Sequence, residues 1–152
     1  MARVAREVFL ILKEKQFILV TNNPKVHEKY ENHAYIGVEY WKEKGYLDVL
    51  ISVRDWIHRG WHLLSHPQAS NLRPMQCPYK TVLISKSRAA QNGERDVALI
   101  ENSISAYYKF TKGMISPCWQ ATTLEDFQTV DLSVIESVIN SSLMQQLLFA
   151  NM

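Results

Sequence analysis

A chain of 152 residues, 47% hydrophobic and 21% charged, is long enough for a substantial core and too apolar in composition for a disordered segment. Its formal net charge of +2 gives no general drive towards nucleic acid, and its longest apolar runs are too short to cross a bilayer, so neither partner is expected. Cys77 and Cys118 are too few for a disulfide framework or a zinc knuckle, which makes a reducing cytoplasm the expected setting.

In chain order, "MARVAREVFLILKEKQ" places basic residues before an apolar stretch, as a signal peptide does. Only five residues (VFLIL) are apolar, however, and Lys13-Glu14-Lys15 closes the run, so an amphipathic helix over residues 1–15 is the better reading. Phe17 to Val20 is a continuous apolar run of strand length. It passes through Thr21-Asn22-Asn23 into a helix, with Asn23 as N-cap and Pro24 at the first helical position. Residues 34–41 (AYIGVEYW) read as a second strand. From Tyr46 to Arg59 the period is helical, with Val49, Leu50, Val53, Trp56 and Ile57 on one stripe and Gly60 placed to end it. "WHLLSH" is a short strand candidate bounded by Pro67. Pro67, Pro74 and Pro78 mark an irregular loop, and Tyr79 to Ser85 is a further strand with a buried Val-Leu-Ile centre.

"SKSRAAQNGER" is a polar connection, and Asp96 to Lys112 is a helix with Val97, Ile100, Ile104 and Tyr107/Tyr108 inward and Gly113 after it. Two further helix starts follow in capping-box spacing, Thr122 with Glu125 and Ser133 with Glu136. Strands alternating with helices predict an α/β fold: a single three-layer domain with a mainly parallel sheet flanked by helices. Its core spans residues 16–113, with extra helices at both termini (1–15 and 114–152).

Charge is unevenly spread along this chain. Residues 54–80 carry Arg54, Arg59, Arg73 and Lys80 against Asp55, whereas residues 113–152 carry Glu125, Asp126, Asp131 and Glu136 with no Lys or Arg. Two oppositely charged solvated surfaces are the plain explanation, and an anion site in the basic part is the sharper one. His58, His62 and His66 recur four apart in this region. On one helix face that spacing could share a metal, but Gly60 ends the helix after Arg59. On an extended segment the same spacing separates the rings by roughly 13 Å. No metal and no cofactor are therefore expected.

Arg54 and His58, one turn apart near a helix C-terminus, fit an anion better, since arginine binds carboxylate or phosphate bidentately. Arg73 and Lys80 join them if the proline-rich loop folds back, with His62 and His66 on the next segment. Thr21, Asn22 and Asn23 sit where open α/β sheets bind ligands, beyond a strand's carboxyl end. Ser85, Lys86, Ser87 and Arg88 take the same place after the last strand. Each residue alone is more simply a cap or a solvent contact. No catalytic residue stands out: "CP" at Cys77 carries no catalytic pattern, and a buried inert thiol is the simpler reading than a reactive one.

At "VTNNP", "VRDWIHRGWHLLSHP", "PYKTVLIS" and "TLEDFQTVDLSVIES" the chain resembles the GrdX family, over roughly Phe17 to Ile139. The Arg-Asp-x-x-His-x-Gly run into Leu-Leu-x-His-Pro is the most specific part. The resemblance implies a small protein encoded with the glycine, sarcosine or betaine reductase systems of anaerobic bacteria. Those reductases use selenoproteins and release acyl phosphates. It supplies no catalytic residue. The expectation is a non-catalytic accessory or assembly factor whose partners are reductase-complex proteins. The alternative is a domain or enzyme that binds a small anion (phosphate, acyl phosphate or nucleotide) through the Arg54–Lys80 region. A homo-oligomer through the C-terminal helix, around Leu143 to Phe149, is compatible with both.

Overall fold

The computed structural model describes residues 7, 9–68, 77–86, 93–115 and 117–150. Four strands form one sheet: β1 (Phe17–Thr21), β2 (Ile36–Tyr40), β3 (His62–Leu63) and β4 (Thr81–Ser85), in the order β2-β1-β4-β3. Five helices are α1 (Pro24–Tyr30), α2 (Tyr46–His58), α3 (Gly93–Thr111), α4 (Ala121–Ile139) and α5 (Ser142–Ala150). Residues 9–12 are also helical.

Local chemistry explains most of these boundaries. Asn23 caps α1 by accepting the Lys25 N–H (3.0 Å), with Pro24 at the first helical position. At the other end of α2, Gly60 takes φ +96°, a left-handed conformation that costs a side-chain-bearing residue about 1–2 kcal/mol. The stripe Val49, Leu50, Val53 and Trp56 on α2 is at most 1% exposed. Alternate strand residues feed different clusters. Ile18, Val20, Val82 and Ile84 pack with α2 and with Ile100 and Ile104 of α3. Phe17, Leu19 and Leu83 pack with Val26 and Tyr30 of α1, Ile135 and Ile139 of α4, and Met144 and Leu148 of α5.

The sheet is mixed, not mainly parallel. β1 pairs with β2 in parallel, but β4 is antiparallel to both β1 and β3. The directions of β1, β2 and β3 agree, and β4 is wedged between β1 and β3 against them. The reason lies in the connections. α1 and α2 are crossover helices that return the chain to the starting end of the sheet, as parallel strands require. No helix among the described residues separates β3 from β4, and a strand that turns back without a crossover must run antiparallel.

The acidic tail also differs from expectation. α4 continues through Ser133, whose hydroxyl donates to the Val130 carbonyl (2.7 Å) instead of capping a new helix. The break comes later, where Ser141 Oγ accepts the Met144 N–H (3.2 Å) as α5 begins. Burial of Ile135 and Ile139 keeps α4 against the sheet through the serine, so a cap-like spacing is overridden by packing.

Candidate functional site

Beyond the carboxyl end of β1, residues from four parts of the chain are tied together. Thr21 Oγ1 lies 2.7 Å from Thr81 Oγ1 and accepts the Asn23 N–H (2.9 Å). Asn22 Nδ2 donates to the carbonyls of Lys44 and Pro78 (both 2.9 Å), while its Oδ1 accepts the Lys80 N–H (2.9 Å). Asn23 Nδ2 donates to the Gln128 carbonyl and to Asp131 Oδ2, each 2.9 Å. Asp131 Oδ2 also accepts the Thr81 hydroxyl at 2.6 Å. The three predicted turn residues are thus joined to α4 by a carboxylate that reaches them from the acidic tail.

The electrostatics here are those of a desolvated pair. Burial pushes the Asp131 carboxyl above its ordinary range, against the lowering effect of the Thr81 and Asn23 hydrogen bonds and of Lys80. Burial pulls the Lys80 ammonium down, with Asp131 and Cys77 opposing. Lys80 is 3% exposed, and its Nζ stands 5.3 Å from the centre of the Tyr46 ring. Burial likewise raises the Tyr46 phenol and pushes the Cys77 thiol up to about 11, so Cys77 is a protonated thiol at neutral pH.

Above this knot opens a cleft of about 570 Å³, within the range of small-molecule sites. Asn22 and Pro24 form one edge, and Lys42, Glu43, Lys44 and Gly45 form another. Its walls are aromatic: Tyr40, Tyr46, Tyr79, Tyr107 and Trp119. Tyr46 and Tyr107 stack at 5.9 Å between centroids, 20° apart, and Trp119 packs edge-to-face on Phe127 at 4.8 Å. Glu43 holds φ 59°, a left-handed conformation rare for a residue with a side chain, and such strain concentrates at ligand-binding segments. Asn22 keeps this loop in place through the Lys44 carbonyl.

The remaining predicted residues lie elsewhere. Because α2 runs back from the cleft, Arg54 and His58 are carried towards the opposite end of the sheet. Arg54 contacts its neighbour Asp55 at 3.6 Å, and His58 is exposed. His62 is level with Ser85 and Phe17, four residues and roughly 13 Å along the strand from Thr81. Antiparallel β4 carries Ser85 and Lys86 to that far end too, which corrects their expected position beside Thr21. Ser87, Arg88 and Arg73 lie outside the described residues.

His62 Nδ1 pairs with Asp96 Oδ2 at 3.1 Å, and its Nε2 is buried without a partner among the described residues. His66 is exposed and accepts the Gln68 N–H at 3.0 Å. Among the described residues no group of three metal-capable side chains is assembled. Of the predicted residues, then, Thr21, Asn22, Asn23 and Lys80 come together, and Arg54, His58, His62, His66, Ser85 and Lys86 do not join them. The His62–Asp96 pair pins β3 to the first turns of α3. Asp96→Ala leaves the imidazole without its carboxylate and should cost about 1–3 kcal/mol. The check is a lower urea midpoint at unchanged slope.

Sequence reasoning missed Asp131 and the aromatic walls. One signal for Asp131 was present, since it lies four and eight residues before Ile135 and Ile139 and so shares their buried face. The tyrosines carried none, because an aromatic lining a cleft has the same spacing as one in a core.

The family model described as GrdX-like protein matches residues 18–140. The chain belongs to the GrdX family. No curated protein and no solved structure matches it significantly. The match begins at the second residue of β1 and runs through α4, so the strand-end knot and the cleft both lie within the GrdX-like region.

Proposed function

We propose that this GrdX-family chain is a non-catalytic accessory protein of the glycine, sarcosine or betaine reductase system, and that it acts by holding a small ligand. The observation that carries the reading is the aromatic-walled cleft beyond the carboxyl ends of parallel strands β1 and β2, the position at which open α/β sheets bind ligands. The resemblance to proteins encoded with these reductases supports the accessory role. The small-anion alternative is retained in a relocated form. Its site is the cleft beside Lys42, Lys44 and Lys80, rather than the Arg54–His58 end of α2.

The test is thermal unfolding of the full chain at matched ionic strength with phosphate, acetyl phosphate, sulfate and nucleotides. A ligand at a hundred times its Kd adds about 2.7 kcal/mol, a rise of roughly 5–10 °C for a chain of this size. The rise should disappear in Tyr107→Ala, which strips one cleft wall, and persist in Arg54→Ala. The opposite pattern would move the site to the far end of the sheet. Failure to co-purify with any reductase component from a native extract would remove the accessory role.

A further inference from the structure

Resting on the cleft reading above, we infer that the cleft takes a nucleoside monophosphate, its base against the aromatic walls and its phosphate at the Lys42–Lys44 rim. Three independent features select this class. The first is shape: five aromatic side chains line one cleft, and two of them are held as a stacked pair, which matches the π-face of a planar ring. A bare phosphate or acyl phosphate would leave that surface without a partner.

The second is charge. Lys42 and Lys44 stand against Glu43 on the rim, and Lys80 lies behind Tyr46. Neither Lys42 nor Lys44 is within 4 Å of a carboxylate among the described residues. A lysine rim of this kind suits a phosphate as a set of point charges. Aromatic clefts can instead enclose a quaternary ammonium ion, but here that cation would be set among like charges.

The third is unused hydrogen-bonding capacity. Tyr46 is 7% exposed and lines the cleft, yet its hydroxyl has no hydrogen-bond partner among the described residues, and the same holds for Tyr40 and Tyr107. Tyr79, by contrast, accepts Gln128 Nε2 at 2.8 Å. None of these oxygens is a sealed, unsatisfied atom, so all three are open to what fills the cleft, and a nucleotide offers ring nitrogens and sugar hydroxyls to meet them. The Tyr46 phenol keeps its proton, since burial raises it, and so serves as a donor.

The experiment is isothermal titration of the full chain with adenosine 5′-monophosphate, adenosine, inorganic phosphate and tetramethylammonium. The monophosphate should bind at least tenfold more tightly than adenosine, and its affinity should fall with added salt. Lys42→Ala combined with Lys44→Ala, both in a surface loop, should remove that preference while leaving adenosine binding in place. Equal affinity for nucleoside and nucleotide, or a preference that survives the double substitution, overturns the phosphate assignment. Binding of tetramethylammonium or phosphate but not of the nucleotide, abolished by Tyr107→Ala, overturns the nucleotide while the ligand-binding cleft stands. Saturable nucleotide binding unaffected by Tyr107→Ala and by the lysine substitutions overturns both.

Discussion

Trp56→Ala should lower stability by about 3–5 kcal/mol, the usual cost of truncating a fully buried tryptophan. For a protein of this length that is a fall of roughly 6–20 °C in Tm. Trp56 is 1% exposed and stands where three parts of the chain meet. Its ring lies 4.9 Å from Phe9 of the N-terminal segment and 5.0 Å from Trp61, beyond the end of α2. It also has a polar duty. The indole Nε1 donates to Glu39 Oε2 at 3.1 Å, and Glu39 Oε1 accepts Trp41 Nε1 at 2.7 Å together with the Ser52 hydroxyl. Glu39 is 8% exposed, and no cation forms a salt bridge with it among the described residues, so neutral donors alone solvate the carboxylate.

Truncation therefore opens a cavity and takes one of three donors from a buried acid. Trp56→Phe separates the two effects by keeping much of the ring and losing the donor. It should cost about 1–3 kcal/mol, the range for leaving a buried polar group short of a partner. Urea unfolding of the two variants tests this. Equal losses would mean that the hydrogen bond, not the cavity, dominates.

The second large effect is expected at Asp131. Asp131→Ala removes the acceptor shared by Thr81 and Asn23 and leaves Lys80 buried without its compensating charge. The loss should be on the order of 3 kcal/mol. Asp131→Asn keeps an acceptor in place and abolishes the titration. Burial raises the Asp131 carboxyl, so the folded protein binds its proton more readily than the unfolded chain does. Its contribution to stability is then greatest below the unfolded value of 3.8 and declines as pH rises through the folded value.

The unsubstituted protein should accordingly lose stability relative to Asp131→Asn as pH rises above the unfolded value of 3.8. A difference in urea midpoint that stays constant over that rise would show that the carboxyl is not raised. Pairing Asp131→Ala with Lys80→Met should cost less than the sum of the two single substitutions, because the second change removes the charge that the first left stranded. Strict additivity would show that the two groups do not interact.

These two sites were legible in the sequence to different degrees. Trp56 belongs to a stripe that repeats at helical period between a helix start and Gly60, and that pattern alone places it inward. Asp131 was visible only as one of four acids in a tail without lysine or arginine. Three of those four do behave as that composition suggests: Glu125 and Glu136 meet Lys25 and Lys29 at the surface, at 3.5 and 3.0 Å, and Asp126 is exposed. The fourth is buried and holds the end of the sheet together. The proline-rich stretch from Pro67 to Pro78 also held unused information. It contains no predicted crossover helix, and without one the following strand cannot run parallel to its neighbour.

The sequence by itself determined the elements: where β1, β2 and β4 run, that Asn23 caps α1, that α2 buries its valine-tryptophan stripe, and that Gly60 ends it. All of these depend on residues within a few positions of one another, so periodicity and capping chemistry suffice. Tertiary structure decided that β4 enters reversed between β1 and β3, and with it which residues share an end of the sheet. That one reversal sets Ser85 beside His62 and Lys80 beside Asn22. The return of α2 along the sheet separates Arg54 and His58 from the Thr21–Asn23 turn. The residues of β4 do not encode the reversal themselves, because a strand carries the same pattern of buried side chains in either direction, and its pairing is chosen by the connections and surfaces it meets.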